Sequence, residues 1–325
     1  MMKFRRLGKS DLEVSVIGYG GWEIGGVGWK VGAEEESIEA VRSAFESGVN
    51  FFDTAPVYGF GRSEEVVADA LSDVRKDVII ATKVGLIWDD AKRVKRCLRK
   101  ESVLREIDDS LRRLKTDHVD LYQIHWPDPE TPLEETAEAL QRILEQGKAR
   151  YIGVSNFDIG QMEEISEYIP IVSLQISYSM LNRYIEREIF DYVRKHDIGV
   201  IPYSPLERGL LTGKITRDYV IGDDDARKYD RNFMDRERFQ RNIERVEKLK
   251  EVSARLGISL SQLAISWLLH HPEIRTVIVG SANPEHVKQN ISAAEIELDP
   301  DVFAEINDIL SDEELFENLY PTRPA

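Results

Sequence analysis

Residues 50–65 read NFFDTAPVYGFGRSEE, and this stretch sets the pattern that the rest of the chain repeats. An apolar pair ends at Asp53. The strand that it predicts cannot continue through Pro56 and Gly59, because proline lacks a ladder donor and glycine favours turns. Asp53 and Tyr58 are therefore expected at a corner between a strand and a loop, where enzymes often carry reactive groups. A solvated loop with a hydrogen-bonded aspartate explains this stretch alone equally well.

A short apolar run, a polar residue and an amphipathic helix recur in this order along almost the whole chain. Eight strand-like runs are predicted, at residues 16–17, 51–52, 78–82, 119–124, 151–154, 171–176, 198–202 and 276–279. The first run leads into the glycine-rich loop GYGGWEIGGVG at residues 18–28. The spacing leaves room for crossover helices, which is typical of a closed (β/α)8 TIM barrel in the α/β class.

Polar side chains follow these runs at their carboxyl ends. They are Asp53, Lys83, His125, Ser155, Asn156, Gln175 and Ser204. The carboxyl face is the one on which such barrels hold their active sites, so the placement strengthens both the barrel interpretation and the case for an enzyme.

Three segments do not fit the repeat. Residues 206–237, after the seventh strand, lack apolar periodicity and are too long for an ordinary connection, so we expect a lid or a disordered loop. Residues 239–270 predict a helix pair, and residues 300–311 predict a C-terminal helix. No linker composition interrupts the chain, so residues 1–325 are interpreted as a single barrel domain with extra helices.

Two helix starts carry capping signals. Thr131, Pro132 and Glu134 have the pattern of a capping box with proline at the first helical position, and this helix is expected to close at Gly147. Asn283 precedes a proline and is expected to cap the last helix of the barrel.

Composition excludes several classes of function. A formal net charge of -16 over 325 residues opposes nucleic acids and anionic membranes as partners. The single cysteine, Cys97, allows no intramolecular disulfide and fits a reducing compartment. The start lacks the apolar region of a signal peptide, and no apolar run approaches about 18 residues, so a cytoplasmic protein is expected. The six histidines form no ligand-spaced cluster, so no metal site is predicted.

The polar residues after strands two to four suggest an acid–base site. A buried Lys83 needs a carboxylate, and Asp53 on the neighbouring strand can supply it. If the ammonium lies ~3 Å from the hydroxyl of Tyr58, attraction of about 5 kcal/mol at an effective dielectric near 20 lowers the phenol pKa. Burial opposes this effect, and the expected result is a phenol that exchanges a proton near neutral pH. His125 can orient the same reacting oxygen, although such a histidine is more often a packed residue and such a lysine a structural ion pair.

The set Asp53, Tyr58, Lys83 and His125 closely resembles the catalytic tetrad of the aldo-keto reductase superfamily. These residues lie in the contexts DTAPVYGFGRSEE, IATK and DLYQIH. The likeness extends to IGVSNF at 152–157, to Gln175, and to IPYSPL at 201–206 and GSANPEHVKQN at 280–290. Nearly the whole chain is covered, and the pattern is most similar to the bacterial and archaeal branch near the inositol-operon and general-stress reductases.

This resemblance implies an NAD(P)H-dependent oxidoreductase that reduces an aldehyde or ketone with hydride from C4 of a nicotinamide. Tyr58 would act as general acid, Lys83 and Asp53 would tune it, and His125 would position the carbonyl. The implied partner is a small-molecule carbonyl compound.

The resemblance also implies the residues of the cofactor site. Ser155, Asn156 and Gln175 would hold the carboxamide, and Tyr203 would stack on the nicotinamide. The pyrophosphate would lie along Ser204, Leu206, Gly209 and Lys214. The remaining cofactor-binding residues would be Gly21, Trp22, Gly280, Ser281, Asn283, His286, Gln289 and Asn290.

The adenosine end has a physical argument of its own. The helix that begins after Asn283 offers free N–H groups and a favourable dipole for a phosphate, and Ser281 adds a hydroxyl. NADP(H) is favoured because the branch usually prefers it. NAD(H) stays open, because Gly280 and His286 stand where many relatives carry a lysine and an arginine for the 2'-phosphate. Lys288 could compensate for their loss.

Three tryptophans follow strands one, three and four. Trp22, Trp88 and Trp126 are expected to wall a substrate pocket, which would favour a carbonyl beside an apolar or aromatic group. Each of them alone is more often ordinary packing.

Three other functions compete with this interpretation. A Rossmann dinucleotide site is rejected because the glycine-rich loop contains no GxGxxG and Asp53 lies too far along. A Schiff-base aldolase would use Lys83 as nucleophile. A cofactor-binding redox sensor or regulatory subunit, as in relatives that attach to potassium channels, can keep the tetrad. The natural substrate, the physiological direction and the oligomeric state do not follow from the sequence.

Overall fold

The structure is a computed structural model that describes residues 1–26, 33–222 and 225–318. Eight parallel strands form one sheet, in the order β11–β10–β9–β8–β5–β4–β3–β12. Their bounds are β3 Ile17–Gly20, β4 Phe51–Asp53, β5 Ile79–Val84, β8 Val119–Ile124, β9 Ala149–Ser155, β10 Ser173–Ser177, β11 Gly199–Tyr203 and β12 Val277–Val279. Each of the eight predicted runs forms one of these strands.

The two ends of this sheet meet, so that the sheet is a nearly closed barrel. Val200 on β11 forms a parallel bridge with Ile274, just before β12. The N–H of Val200 donates to the carbonyl of Glu273 at 3.0 Å, and the N–H of Arg275 donates to the carbonyl of Val200 at 2.9 Å. The predicted (β/α)8 barrel is confirmed.

Helices surround the barrel on its outer side. Their bounds are α1 Glu34–Glu46, α2 Arg62–Leu71, α3 Lys100–Leu114, α4 Leu133–Glu145, α5 Ile159–Tyr168, α6 Ile189–His196, α7 Arg231–Met234, α8 Arg236–Leu256, α9 Leu260–Leu269, α10 Pro284–Ile291 and α11 Pro300–Ile309. The predicted pair at 239–270 corresponds to α8 and α9. A cluster of buried apolar side chains fills the space between strands and helices.

The capping box predicted for α4 is wrong. The helix begins one residue later than expected, and Pro132 stands at the cap without a side-chain hydrogen bond. The hydroxyl of Thr131 instead donates to Asp128 at 2.8 Å, and the same carboxylate oxygen accepts the N–H of Leu98 at 3.0 Å. The threonine therefore stabilises the loop after β8 and is not available to the helix.

The sequence analysis did not predict two β-hairpins. β1 Phe4–Arg6 pairs with β2 Glu13–Ser15, and β6 Leu86–Trp88 pairs with β7 Val94–Arg96. The first hairpin brings Leu7, Leu12 and Val14 into a buried cluster with residues near the amino ends of the barrel strands. It closes that end of the barrel with apolar side chains, so the opposite, carboxyl end is left to form a site.

The segment 206–237 contains local structure in the part that is described. Residues 223 and 224, like residues 27 and 28 of the glycine-rich loop, lie outside the described residues. Short 3-10 turns cover Glu207–Thr212 and Ala226–Tyr229, and α7 follows. Arg208 pairs with buried Asp230 at 2.8 Å, which links the two parts. Buried apolar side chains such as Leu210 and Phe233 also join the main core, so the expectation of a disordered loop is wrong for these residues.

Across the described ranges, no single helix is long and apolar enough to cross a membrane. Only α8 and α9 taken together would have the necessary length and apolar composition, and the chain bends by 90° between them. Most side chains of α9 are buried in the protein.

Candidate active site

Three neighbouring strands bring the predicted acid–base residues together at the carboxyl end of the barrel. The Nζ of Lys83 lies 2.5 Å from Oδ2 of Asp53 and 3.2 Å from the hydroxyl of Tyr58. It also donates to the carbonyl of Thr54 at 3.0 Å. The ring of His125 meets the ring of Tyr58 edge-on, with centroids 5.7 Å apart. The lysine has no exposed surface, so its charge acts within a buried cluster.

Close backbone packing fixes the loop that carries Tyr58. A Cβ placed on Gly25 would lie 2.7 Å from the carbonyl carbon of Tyr58, so only glycine lets the loop after β3 pack this closely. The hydroxyl of Ser63 donates to the carbonyl of Gly21 at 2.7 Å and shares a hydrogen bond with Thr54 at 2.8 Å. The serine of the GRSEE stretch therefore joins the loops after β3 and β4.

Burial and charge set the protonation of these groups. Burial lowers the pKa of Lys83, but the charge of Asp53 and the phenol of Tyr58 outweigh it, and the net pKa is raised. Burial raises the pKa of Tyr58 above its usual value, and the Lys83 ammonium opposes this only in part. Burial and then the Lys83 charge hold the pKa of His125 well below its ordinary value.

The expectation that the Tyr58 phenol titrates near neutral pH is therefore wrong for this structure. Desolvation exceeds the attraction of Lys83, because the same ammonium also faces the Asp53 carboxylate, which itself raises the phenol pKa. At neutral pH the cluster holds a cationic lysine, a neutral phenol and a neutral imidazole. This is a site that can donate a proton to an oxygen and stabilise the phenolate left behind.

A cavity of about 740 Å³ opens beside this cluster. It extends from Tyr58 and His125 across the ends of β9, β10 and β11 to the loop after β12. Predicted cofactor residues that line it are Gly21, Trp22, Ser155, Asn156, Gln175, Tyr203, Ser204, Leu206, Gly209, Lys214, Gly280, Ser281, His286, Gln289 and Asn290. The volume lies within the roughly 300–1,000 Å³ of small-molecule sites.

Unlike the other predicted cofactor residues, Asn283 is not among the residues that line the cavity. Its Oδ1 accepts the N–H groups of Glu285 at 2.9 Å and His286 at 3.2 Å, which makes it the cap of α10 as predicted. The expectation that these N–H groups are free for a phosphate is wrong, because the asparagine side chain already accepts them. Lys288 pairs with Glu285 at 3.1 Å on the surface.

Two amides of the predicted carboxamide site have partners within the protein. The Nδ2 of Asn156 donates to the carbonyl of His125 at 3.0 Å, and its Oδ1 accepts the Tyr203 hydroxyl at 2.9 Å. The Nε2 of Gln175 donates to Asp53 at 2.8 Å. These contacts connect the acid–base cluster to the wall of the cavity.

The tryptophans divide into two groups. Trp22 and Trp126 are among the residues that line the cavity. Trp88 packs against Phe60, with ring centroids 5.4 Å apart, and lies behind that lining. Its place in the wall is taken by Phe60 and by residues of the second hairpin, Leu86 and Val94. The sequence signal for this hairpin was the apolar triplet 86–88 followed by the turn residues 89–92.

Charged residues on the cavity wall were also missed. Arg208 and Arg227 come from the segment after β11, and Glu23 comes from the loop after β3. The guanidinium of Arg208 lies 5.4 Å from the ring centroid of Trp22, which joins the two sides of the cavity. Burial raises the pKa of Glu23 to about 7, against a backbone hydrogen bond from Ala282 and the charge of Arg227. The sequence signal that could have identified Glu23 was a carboxylate inside the glycine-rich stretch GGWEIGG.

The barrel, the buried acid–base cluster and the long cavity define the class as a (β/α)8 enzyme with its site at the carboxyl ends of the strands. Residues 16–311 match the model of the Aldo/keto reductase family. The chain belongs to this family.

Two relatives show how wide the likeness is. The chain is 39% identical over 286 residues to aldo-keto reductase YhdN of Bacillus subtilis, which covers 87% of this chain and 86% of the relative. It is 35% identical over 312 residues to the NADH-specific methylglyoxal reductase of Escherichia coli, which covers 91% of this chain and 95% of the relative.

Solved structures agree with the fold. The glycerol dehydrogenase AKR11B4 from Gluconobacter oxydans superposes with a TM-score of 0.88 at 34% identity, over 99% of both chains. An aldo-keto reductase from Klebsiella pneumoniae in complex with NADPH superposes with a TM-score of 0.76 at 27% identity, over 98% of this chain and 99% of the other.

These findings establish an NAD(P)H-dependent oxidoreductase that reduces aldehydes or ketones to alcohols. The donor chemistry of the cavity fits a nicotinamide dinucleotide. An aromatic ring at Tyr203 suits a planar base, hydroxyls at Ser204 and Ser281 suit phosphate and ribose oxygens, and Lys214 supplies a cation.

Proposed function

We propose that Tyr58 is the general acid of this reduction, supported by Lys83, Asp53 and His125. The observation that carries the proposal is the Lys83 ammonium, which lies between the Asp53 carboxylate and the Tyr58 hydroxyl beside the cavity. When bound, the nicotinamide supplies a hydride to the carbonyl carbon. Tyr58 donates its proton to the carbonyl oxygen, and the ammonium stabilises the phenolate that forms. The neutral His125 donates one hydrogen bond to the same oxygen and orients it.

The cofactor seat that we propose follows the cavity from this cluster. Ser155, Asn156 and Gln175 would hold the carboxamide end, and Tyr203 would stack on the ring. Ser204, Leu206, Gly209 and Lys214 would follow the pyrophosphate, with Arg208 and Arg227 as further cations in the wall. Gly21, Trp22, Gly280, Ser281, His286, Gln289 and Asn290 would enclose the rest. The support is that all these residues line one continuous cavity.

We propose NADPH as the favoured reductant and NADH as an accepted one. The NADPH complex of the Klebsiella relative supports the first, and the NADH-specific relative from Escherichia coli supports the second. Comparing kcat/KM for the two cofactors tests the preference. A strong preference for NADH would contradict it.

For the substrate, we propose a carbonyl carried beside an apolar or aromatic group. Trp22, Phe60, Leu86, Val94 and Trp126 give the cavity an apolar wall that suits such a group. A panel of aldehydes, ketones and sugars, followed by nicotinamide absorbance, tests this class. Faster reduction of polyhydroxy aldehydes than of aromatic ones would argue against it.

The deciding experiment compares Tyr58 with a second tyrosine of the barrel. Tyr58→Phe should leave cofactor affinity unchanged and lower kcat for reduction by about 10²- to 10⁴-fold, because only the proton donor is lost. Tyr122→Phe is the matched control: that hydroxyl is buried in the core, lies outside the cavity lining and makes no hydrogen bond to the described residues. Turnover retained by Tyr58→Phe would remove Tyr58 from the acid role. A wild-type protein whose bound nicotinamide never exchanges would instead favour the redox-sensing alternative.

A further inference from the structure

The carboxylate of Asp53 is held on both of its oxygens. Oδ2 faces the Lys83 ammonium at 2.5 Å. Oδ1 accepts two side-chain amides, from Gln123 Nε2 at 3.0 Å and from Gln175 Nε2 at 2.8 Å. The Nε2 of Gln175 also lies 3.2 Å from Oε1 of Gln123, so the two glutamines contact each other as well. The proposed proton-donor system therefore extends by two residues into the barrel interior.

The sheet register explains how Gln123 reaches an aspartate two strands away. Gln123 on β8 is directly opposite Lys83 on β5, so both side chains enter the same layer of the barrel. On its other side Gln123 faces Gly153 of β9. A Cβ at Gly153 would lie 2.2 Å from Oγ of Ser173 and 3.2 Å from Cγ of Gln123, so the glycine leaves room for both of these side chains.

A buried glutamine on an apolar strand is costly unless its amide is bonded. Gln123 has no exposed surface, and its neighbours on either side along β8 are the buried Tyr122 and Ile124. The amide donates to a carboxylate, which is a stronger interaction than a bond between neutral groups. The position of Gln123 is thus defined by Asp53 and Gln175.

The two glutamines differ in their access to the cavity. Gln175 is part of the cavity lining, whereas Gln123 is completely covered. In the proposed cofactor seat, Gln175 has a second partner when the cavity is filled. Gln123 keeps Asp53 as its partner in both states.

We propose that Gln123 is a positioning residue for the reaction. It holds Oδ1 of Asp53 so that Oδ2 faces Lys83 and the ammonium stays within reach of Tyr58, whether or not the cavity is occupied. The contact from Lys83 to Tyr58, at 3.2 Å, is the longest of the three that the ammonium makes. If both oxygens of Asp53 were free to attract the ammonium, this contact would lengthen first, and the pKa of Tyr58 would rise.

The inference rests on the proposed role of Tyr58, and its test includes a readout that needs neither turnover nor cofactor. Gln123→Met keeps the length of the side chain and removes the amide. In cofactor-free protein carrying ¹³Cζ-tyrosine, the signal of Tyr58, assigned by its loss in Tyr58→Phe, should shift in Gln123→Met. Ser173→Ala is the control, because Ser173 is a buried barrel residue whose hydroxyl contacts no partner among the described residues. It should leave that signal unchanged.

Kinetics give the second readout. Gln123→Met should bind cofactor with an affinity within about twofold of wild type, and its kcat for reduction should be roughly tenfold lower. In the pH profile of alcohol oxidation, the apparent pKa should rise by about one unit, since a factor of ten corresponds to one pKa unit. Gln175→Met should weaken cofactor binding as well. If Gln123→Met does not fold, Gln123→Asn, which is one methylene too short to reach Asp53, should give the same shifts.

Two results would overturn the proposal. One is an unchanged Tyr58 signal together with unchanged kcat. The other is lower thermal stability with an unmoved signal and pH profile, which would make Gln123 a structural residue only. A wild type that does not reduce carbonyls would refute the proposed function instead, and the resonance test would still stand.

Discussion

The two ends of the cavity are built differently. At the end near Tyr58, three of the four proposed reacting groups sit in strands or directly after them: Asp53 ends β4, Lys83 lies inside β5 and His125 follows β8, while Tyr58 itself lies on the loop after β4. At the far end, the wall comes from the chain after β11, which adopts left-handed backbone at Ser204 and Arg208, from the loop after β12 and from α10. Strand-borne groups are held by the barrel hydrogen bonds, whereas loop-borne groups depend on their own polar contacts. Substitutions at the first end should therefore affect the rate, and those at the second should affect affinity.

The largest effect is expected when the buried cation is removed. Lys83→Met leaves the Asp53 carboxylate buried beside no charge, so the free energy of unfolding should fall by about 3–5 kcal/mol. The rate of reduction should fall by at least ~100-fold, because the phenolate loses its stabilising charge. Arg93→Met is the control: its pair with Asp89 is exposed on both sides, so its loss should leave the free energy of unfolding nearly unchanged. Chemical denaturation and kcat measure both effects, and equal losses in the two variants would contradict the assignment.

The pH dependence should also separate the two directions of the reaction. The pKa of Tyr58 is raised, so the phenol stays protonated and reduction should continue at alkaline pH where an ordinary phenol begins to ionise. Alcohol oxidation needs the phenolate, so its rate should rise about tenfold per pH unit below that pKa. The pKa of His125 lies well below 6.5, so no histidine limb should occur near that pH. Profiles of kcat/KM for the carbonyl and for the alcohol, each measured at saturating cofactor, test this, and a reduction rate that falls between pH 7 and 8 under those conditions would contradict it.

A smaller effect is expected at the far end of the cavity. The Glu23 carboxyl has a pKa of about 7 and lines the cavity with Arg227. As pH rises from 6 to 8 this group gains a negative charge, so the dissociation constant of an anionic cofactor should increase by roughly three- to tenfold at the modest interaction energies of partly screened charges. Glu23→Gln should remove the dependence, and kcat should change little. Fluorescence titration at several pH values measures it, and a pH-dependent affinity that survives in Glu23→Gln would assign the effect to another group.

The same difference between strands and loops explains which features could be predicted from the sequence. The eight strands and the meeting of Asp53, Lys83 and His125 followed from apolar runs and the polar residues after them, because strand register turns sequence order into spatial order. The role of Asn283 as a cap followed from local chemistry. The sign of the Tyr58 pKa shift did not follow, since it depends on the balance between burial and a cation that is shared with Asp53.

Other features required distances between segments that are remote in sequence. Thr131 has a capping pattern, but its hydroxyl binds Asp128, and no periodicity could reveal which partner would win. Arg208 belongs to a segment without an apolar period. Its partner Asp230 comes 22 residues later in the chain, just after the short helical turn Ala226–Tyr229. The sequence analysis assigned no role to Gln123, because its contacts depend on Asp53 and on the amide of Gln175, which lies on a strand two places away.

The smallest effect compares two tryptophans that the sequence treated alike. Trp126 follows β8 directly and lines the cavity, with the guanidinium of Arg96 5.1 Å from its ring centroid. Trp88 lies on the second hairpin, is not among the residues that line the cavity, and packs against the lining residue Phe60. Trp126→Leu should raise KM for an aromatic aldehyde several-fold, because contact area with the substrate is lost, and Trp88→Leu should raise it by no more than about twofold. Both variants should leave KM for a small aliphatic aldehyde nearly unchanged. If Trp88→Leu has the larger effect, the hairpin moves over the bound substrate and the apolar wall of the cavity is not what selects it.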